Sequence, residues 1–193
     1  MKRVAVYCGS ATPADPIYVD CARMVGRSLA ERGIGLVYGG GKLGLMGAVA
    51  DSALEAGGEV IGVIPQALVD AEVAHRGLSE LHIVDTMHQR KQAFTDLSDG
   101  FITLPGGTGT MDELWEAMSW AQIGYHANPV GLLNVAGYYD GLIAFVKTMG
   151  DVGFMRAQHR GLLIADDSLD QLLARMAAFE PTTTVGQIGA KDL

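Results

Sequence analysis

The chain has 193 residues, of which 49% are hydrophobic and 19% are charged, so one folded domain with a full hydrophobic core is expected rather than disorder. The net charge of −8 argues against binding along a nucleic-acid backbone, which needs clustered cations. No apolar run approaches the ~18 residues of a membrane helix, and the N-terminal run is shorter than the core of a signal peptide. A protein without membrane or nucleic-acid partners, located in the cytoplasm, is therefore expected.

Short apolar runs alternate with longer amphipathic runs, the pattern of a mostly parallel sheet with helices on both faces. The predicted strands span residues 4–8, 35–38, 60–64, 81–84, 101–104, 130–133 and 162–164. The predicted helices span residues 16–31, 43–56, 88–97, 111–123, 138–149 and 169–179. The expected fold class is α/β, a doubly wound, Rossmann-like domain over residues 1–180, with a loosely ordered tail at 181–193.

The cysteines and histidines have no spacing that suits a metal ion. Cys8 falls in a strand-like run and Cys21 in a helix-like run, so both are expected to be reduced, buried thiols. The five histidines form no H-E-x-x-H or similar pattern, and no metal or other cofactor is expected. They are His75, His82, His88, His126 and His159.

Ligands of open α/β sheets bind beyond the carboxyl ends of the strands, where the strand order reverses. This rule selects the loops at residues 9–12, 39–41, 65–66, 85–91 and 105–110. Three of them carry glycines or hydroxyls able to cradle an anion. Ser10 and Gly40, in the first two loops, are candidate substrate contacts.

The loop at residues 39–44 satisfies G-x-G-x-x-G, the pattern of a dinucleotide site. It follows the second strand rather than the first, and the next strand ends in Ile64-Pro65, without an acidic residue to grip a ribose. A P-loop is rejected because Leu43 follows Lys42 where Ser or Thr is required. A glycine turn needed only for tight packing stays open as an alternative.

The segment Leu104-Pro105-Gly106-Gly107-Thr108-Gly109-Thr110-Met111-Asp112-Glu113 reads as strand, glycine loop and helix. Glycines let the backbone approach a ligand closely, and the amides at a helix start attract an anion, so a phosphate is the natural guest. Glu113 has two interpretations. It can reach past a phosphate toward the attached sugar, or it can close a capping box with Thr110.

Arg90 and Lys91 lie near the start of a predicted helix, in Met87-His88-Gln89-Arg90-Lys91, where two cations oppose the helix dipole. A bound phosphate or a partner carboxylate such as Glu113 would offset this opposition. A pair of solvated surface cations is the other interpretation.

The two motifs together, M-H-x-R-K and P-G-G-x-G-T-x-x-E, resemble those of the Lonely Guy family of cytokinin-activating phosphoribohydrolases, often mislabelled "lysine decarboxylase". The similarity runs from about residue 4 to about residue 164. It implies a Rossmann-like fold, a homodimer, and hydrolysis of N⁶-modified adenosine monophosphates to free base and ribose 5-phosphate. The homodimer is expected to form through the helices around Trp115 and Tyr125.

By this resemblance Arg90 and Glu113 take the catalytic positions. Glu72 resembles a further substrate-contacting glutamate, and Ser119 stands where the family has a threonine. Thr108 replaces the tyrosine of plant members. The substrate-binding stretch of the family falls on Lys91, Gly106, Gly107, Thr108, Gly109 and Thr110.

The residues themselves allow this chemistry, because a carboxylate beneath a sugar ring stabilises the positive charge that develops as an N-glycosidic bond breaks. The expected function is therefore hydrolysis of nucleoside 5′-monophosphates. Two alternatives stay open. One is a non-catalytic nucleotide sensor with the same phosphate loop, and the other is a pyridoxal-phosphate decarboxylase, in which Lys42 or Lys91 would form the Schiff base.

Overall fold

A computed structural model describes residues 1–69 and 74–182. Seven strands form one sheet: β1 (Arg3–Tyr7), β2 (Gly35–Tyr38), β3 (Val60–Pro65), β4 (Glu80–Val84), β5 (Phe101–Thr103), β6 (Val130–Leu133) and β7 (Leu163–Asp166). Six α-helices accompany them: α1 (Ile17–Glu31), α2 (Gly44–Glu55), α3 (Met87–Leu97), α4 (Thr108–Gln122), α5 (Asp140–Asp151) and α6 (Leu169–Ala177).

The strand order is β4-β3-β2-β1-β5-β6-β7, and every pairing between neighbouring strands of the sheet is parallel. The chain builds outward from β1 to β4 and then returns to the centre, where β5 pairs with the free side of β1. The strand order therefore reverses between β1 and β5, and a crevice opens beyond the carboxyl ends of these two strands.

Helices cover both faces of the sheet, because β1, β2 and β3 are almost continuously apolar and need cover on each side. Helices α1, α2 and α6 contribute to one core cluster, with residues such as Leu29 and Val49. Helices α3, α4 and α5 contribute to the other, with Phe94 and Leu114. The predicted doubly wound α/β fold is confirmed.

The predicted boundaries of the helices and strands agree with the structure to within two residues, except at the start of α4. Helix α4 begins at Thr108 rather than at residue 111. Helix α5 begins at Asp140 rather than at residue 138, because a 3-10 turn at Val135–Gly137 precedes it. Ala136 in that turn has φ 50° and ψ 33°, a left-handed conformation that residues with a Cβ rarely adopt.

Three further expectations concern a membrane helix, a metal site, and residues that the structure does not describe. Over residues 1–69 and 74–182, no helix has both the length and the apolarity needed to cross a membrane. In the same ranges, no three His, Cys, Asp or Glu residues are grouped so that they could hold a metal ion. Glu72 and residues 183–193 of the tail lie outside the described residues.

Candidate active site

A cavity of about 220 Å³ lies at the point where the strand order reverses. Its walls are the ends of β1 and β2, the loop between β5 and α4, and the side chains of Arg90 and Glu113. Backbone hydrogen bonds join the loops around it: the Gly9 amide donates to Pro105 O at 3.1 Å, and the Leu45 amide donates to Gly9 O at 3.0 Å. Three crossover connections are thus held together at one rim of the sheet.

The start of α4 faces this cavity. Gly107 is the N-cap residue, and no side chain among the described residues caps the helix. A Cβ added at Gly107 or Gly109 would meet no atom within 4 Å, so the space beside these two residues is open. An uncapped helix start that borders open space is suited to an anion.

This helix start overturns the capping-box interpretation of Glu113. Thr110 is the third residue of α4 rather than its N-cap, and its buried side chain packs beside Gly106. Glu113 therefore lies in the second turn of the helix, beyond the N3 position that a capping box requires. Its side chain lines the cavity instead.

Arg90 is brought to the same cavity by α3. Thr86 and Gln89 form a capping box at the start of this helix, so Arg90 is its fourth residue. The side chain is 5% exposed, its Nη2 donates to Gly39 O at 3.2 Å, and its guanidinium carbon lies 5.6 Å from the centre of the Phe94 ring. For Arg90 the interpretation as a solvated surface cation is wrong.

Lys91 points in a different direction. Its Nζ lies 2.9 Å from a carboxylate oxygen of Asp112 and 2.9 Å from one of Glu116, so it joins α3 to α4. Burial acts to lower the pKa of Lys91, but the hydrogen bonds to the two carboxylates outweigh it and hold the pKa above its ordinary value. Lys91 is thus a charged ammonium outside the lining of the 220 Å³ cavity.

Burial keeps the Cys8 thiol, in the cavity wall, and the phenol of the neighbouring Tyr7 neutral. Burial raises the pKa of the Cys8 thiol far above its ordinary value, and the charge of Glu113 adds to the effect. Burial also raises the pKa of the Tyr7 phenol, with contributions of the same sign from Glu113 and Glu116. Cys8 is therefore an unreactive wall of the cavity. Both cysteines are free thiols, as expected, although Cys21 is only partly buried.

The remaining residues expected at the site divide into two groups. The cavity that contains Arg90 and Glu113 is also lined by Ser10, Gly107, Thr108, Gly109 and Thr110. Gly40, Gly106 and Ser119 do not line it.

Each of the residues outside the lining has another role or position. Gly40, at φ 76°, packs against Ile64 and accepts a hydrogen bond from the His75 amide at 2.8 Å. Gly106 faces a separate, mostly apolar pocket of about 230 Å³ beside Tyr138. Ser119 is exposed on α4.

The glycines at residues 39–44 fit the packing alternative better than a dinucleotide fingerprint. A Cβ at Gly44 would lie 2.4 Å from Ser10 O, and one at Gly39 would lie 2.2 Å from Arg90 Nη2. Sequence reasoning missed that Gly39, and not Gly40, borders the cavity, together with Val6, Cys8 and Met46. Their position at or after the ends of the central strands was the signal that could have found them.

The parallel sheet, with a glycine loop at a helix start and an acidic side chain in the wall of the same cavity, defines a Rossmann-like α/β protein. A family model described as "Possible lysine decarboxylase" matches residues 46–176. Curated relatives named cytokinin riboside 5′-monophosphate phosphoribohydrolase match almost the whole chain. LOG of Oryza sativa subsp. japonica is 42% identical over 97% of this chain and 77% of its own. LOG7 of Arabidopsis thaliana is 42% identical over 93% of this chain and 83% of its own.

The chain therefore belongs to the Lonely Guy family of phosphoribohydrolases. Solved structures at lower identity share its fold. The molybdenum cofactor carrier protein of Chlamydomonas reinhardtii has a TM-score of 0.66 at 20% identity, covering 91% of this chain and 96% of its own. The molybdenum cofactor binding protein of Rippkaea orientalis has a TM-score of 0.66 at 20% identity, covering 91% of this chain and 95% of its own.

Proposed function

We propose that this chain hydrolyses the N-glycosidic bond of adenosine 5′-monophosphates, including N⁶-modified ones, and releases the free base and ribose 5-phosphate. The names of its relatives support this reaction, with identities of 42–45% over at least 92% of the chain. The observation that carries it is that Arg90, Glu113 and the start of α4 border one cavity.

The 5′-phosphate is proposed to bind the amides at the start of α4, from Gly107 to Thr110. Four amides at a helix start have no partner within the helix, and the helix dipole adds a positive field. Gly107 and Gly109 leave the space beside them open, so a phosphate can approach the backbone. Binding energy gained at the phosphate then orients the distant sugar carbon that reacts.

Glu113 is proposed to act on that sugar carbon. It lies one turn beyond the helix start, in the wall of the same cavity, so a nucleotide anchored by its phosphate places the ribose beside it. A carboxylate there stabilises the positive charge that develops on the sugar and can activate the attacking water. Arg90 is proposed as the second catalytic residue, in contact with the substrate, and the proposal requires no metal ion or cofactor.

Product analysis tests this function. The protein is incubated with AMP, with N⁶-isopentenyl AMP and with the unphosphorylated N⁶-isopentenyl riboside, and ribose 5-phosphate and free base are quantified. We expect base release from the two monophosphates and a loss of at least tenfold in kcat/KM for the riboside, because it lacks the anchoring phosphate. Equal turnover of the riboside would refute the role given to the α4 amides.

A nucleotide sensor is the second candidate, since the same cavity could bind AMP without cleaving it. Binding of AMP by calorimetry, with no ribose 5-phosphate released, would establish it. A decarboxylase that uses pyridoxal phosphate is disfavoured by the lysines: Lys42 is exposed, and Lys91 is held charged by two carboxylates. A Schiff-base lysine must be available as a neutral amine.

We further propose that residues 1–180 act as one catalytic domain within a homodimer in the cytoplasm. The free thiols Cys8 and Cys21 are in keeping with a reducing compartment. The dimer is proposed to form through the surface around Trp115 and Tyr125, whose side chains are only partly buried within one chain. Light scattering after gel filtration is expected to give twice the mass of one chain.

A further inference from the structure

The connection between β6 and α5 carries two consecutive tyrosines that grip the loop between β5 and α4. Tyr139 Oη donates to Leu104 O at 2.8 Å, and Tyr138 Oη donates to Gly106 O at 2.8 Å. The two rings contact each other edge to face, with centroids 4.8 Å apart. Two neighbouring residues of one connection therefore hold two carbonyls on either side of Pro105.

The backbone of this connection is shaped to aim the two rings. Ala136 takes a left-handed conformation at φ 50°, and Gly137 follows at φ 72°. The Asn134 side chain accepts a hydrogen bond from the Tyr139 amide and donates one to Asp140, each at 2.8 Å. A non-glycine residue persists at positive φ only where its surroundings impose it, and here it turns the chain toward the glycine loop.

The two tyrosines differ in exposure. Tyr139 is 3% exposed and belongs to the core, so its hydroxyl is needed to satisfy a buried carbonyl. Tyr138 is 47% exposed, and water could replace its hydroxyl at Gly106 O. The need to satisfy a buried carbonyl therefore does not explain the hydrogen bond from Tyr138. Its consequence lies in the loop between β5 and α4, which contains Gly106.

The peptide unit between Gly106 and Gly107 links Tyr138 to the candidate active site. The unit is planar and trans, so the Gly106 carbonyl and the Gly107 N–H point in opposite directions. The carbonyl points to Tyr138, beside the apolar pocket, while Gly107 also borders the 220 Å³ cavity. By fixing the carbonyl, the Tyr138 hydroxyl fixes the direction of the Gly107 amide.

We propose that Tyr138 is a positioning residue for phosphate binding, because its hydroxyl locks the peptide plane that aims the Gly107 amide at the substrate's 5′-phosphate. This inference rests on the phosphate site of the proposed function. It assigns no contact between Tyr138 and the substrate. The loop around Gly106 is tightly packed, because an added Cβ there would lie 2.1 Å from Thr110 Oγ1 and 2.8 Å from the Gly9 amide nitrogen. Rotation of the peptide plane between Gly106 and Gly107 is therefore the motion that the Tyr138 hydroxyl restrains.

The test is Tyr138→Phe in the full chain, which removes the hydroxyl and keeps the ring. We expect KM for AMP and the inhibition constant of inorganic phosphate to rise together by about fivefold, the effect of one neutral hydrogen bond, with kcat and the midpoint of thermal unfolding nearly unchanged. The matched control is Tyr18→Phe, because Tyr18 lines the same apolar pocket and its ring contacts Tyr138. It is expected to leave both constants within twofold.

Two outcomes overturn the proposal: unchanged constants for phosphate and AMP in Tyr138→Phe, or an equal change in Tyr18→Phe. Calorimetric binding of AMP separates this proposal from the proposed function. If the unaltered protein binds AMP but releases no ribose 5-phosphate, the function fails, while weaker AMP binding by Tyr138→Phe alone still supports the positioning role.

Discussion

Arg90 Nη2 donates to the carbonyl oxygen of Gly39 at 3.2 Å and thereby ties helix α3 to the end of strand β2. The guanidinium is buried and packs over Phe94, while one edge borders the cavity that also contains Glu113. A cation in the first turn of a helix opposes the helix dipole, so this position is not explained by helix stability. Its place in the cavity wall is in keeping with the proposal that Arg90 contacts the substrate.

Arg90→Lys tests whether the planar fork, and not only the charge, is required. Lysine keeps the positive charge but cannot donate to Gly39 O and to a substrate with the fixed geometry of a guanidinium. We expect kcat/KM for AMP to fall by at least tenfold, measured by release of ribose 5-phosphate. Activity within twofold of the unaltered protein would show that Arg90 does not contact the substrate.

Gly39→Ala tests the placement of Arg90 without changing Arg90 itself. The added Cβ would lie 2.2 Å from Arg90 Nη2 and 3.0 Å from Met46 Sδ, so the guanidinium must move. We expect a loss of kcat/KM similar to that of Arg90→Lys. The variant should also unfold at a lower temperature, because overpacking a core lowers the free energy of unfolding by about 1–3 kcal/mol. An active variant with normal kinetics would mean that the position of Arg90 is unimportant.

Glu113→Gln is expected to lower kcat by a factor of about 10² or more while AMP still binds, because the charge opposite the developing cation is lost. Loss of a helix cap should not contribute to any change in stability, since Glu113 does not cap α4. Glu116→Gln, one turn further along the same helix, is the matched control, because Glu116 pairs with Lys91 and does not line the 220 Å³ cavity. Comparable losses in the two variants would argue against a special role for Glu113.

Gly109→Ala tests the open space at the start of α4. No atom lies within 4 Å of the added Cβ, so the fold should tolerate it, but the methyl group would occupy space needed by a phosphate at the amides. We expect KM for AMP to rise by roughly tenfold with unchanged or slightly higher stability. Gly141→Ala is the control, since Gly141 is likewise the second residue of its helix, α5, and has open space around it.

The dependence of stability on pH should reflect His126. Burial lowers its pKa from 6.5 to about 4, so between these values the unfolded chain binds a proton that the folded chain does not. Stability therefore falls as the pH drops from about 6.5 toward 4. The difference between the two pKa values corresponds to a loss of about 2–3 kcal/mol near pH 4.5.

His126→Gln should remove that loss, which denaturant unfolding at pH 7 and pH 4.5 can measure. His88→Gln is the control, because His88 is exposed on α3. If both variants lose stability between the two pH values as steeply as the unaltered protein, His126 is not the responsible group.

The fold could be predicted from the sequence because its central strands are buried on both faces. The runs at β2 and β6 are apolar from end to end, and both boundaries agree with the prediction. The start of α4 was misplaced because its N-cap is a glycine, which carries no side-chain signal, while Thr110 and Glu113 imitate a capping box. The left-handed conformation of Ala136 had no signal either, since alanine gives no reason to expect it.

The candidate site was predictable where the chemistry lies in a motif and unpredictable where it depends on strand order. Arg90, Glu113 and the glycines after β5 were found from local sequence. Gly39, Cys8 and Met46 border the cavity only because β1 lies between β2 and β5, which single-sequence spacing does not reveal. The direction of Lys91 depends on the packing of α3 against α4, so it also could not be derived.

The pairing of β1 with β5 also constrains how the molecule is made. Ala5 pairs with Phe101, so one edge of β1 stays uncovered during synthesis until β5 has been made. Until then a nascent chain that has formed β1 to β4 exposes an apolar central edge, which can pair with a neighbouring polypeptide. The candidate active-site crevice thus comes into existence with the same step that covers this central edge, and truncation before β5 removes the crevice and leaves the edge exposed.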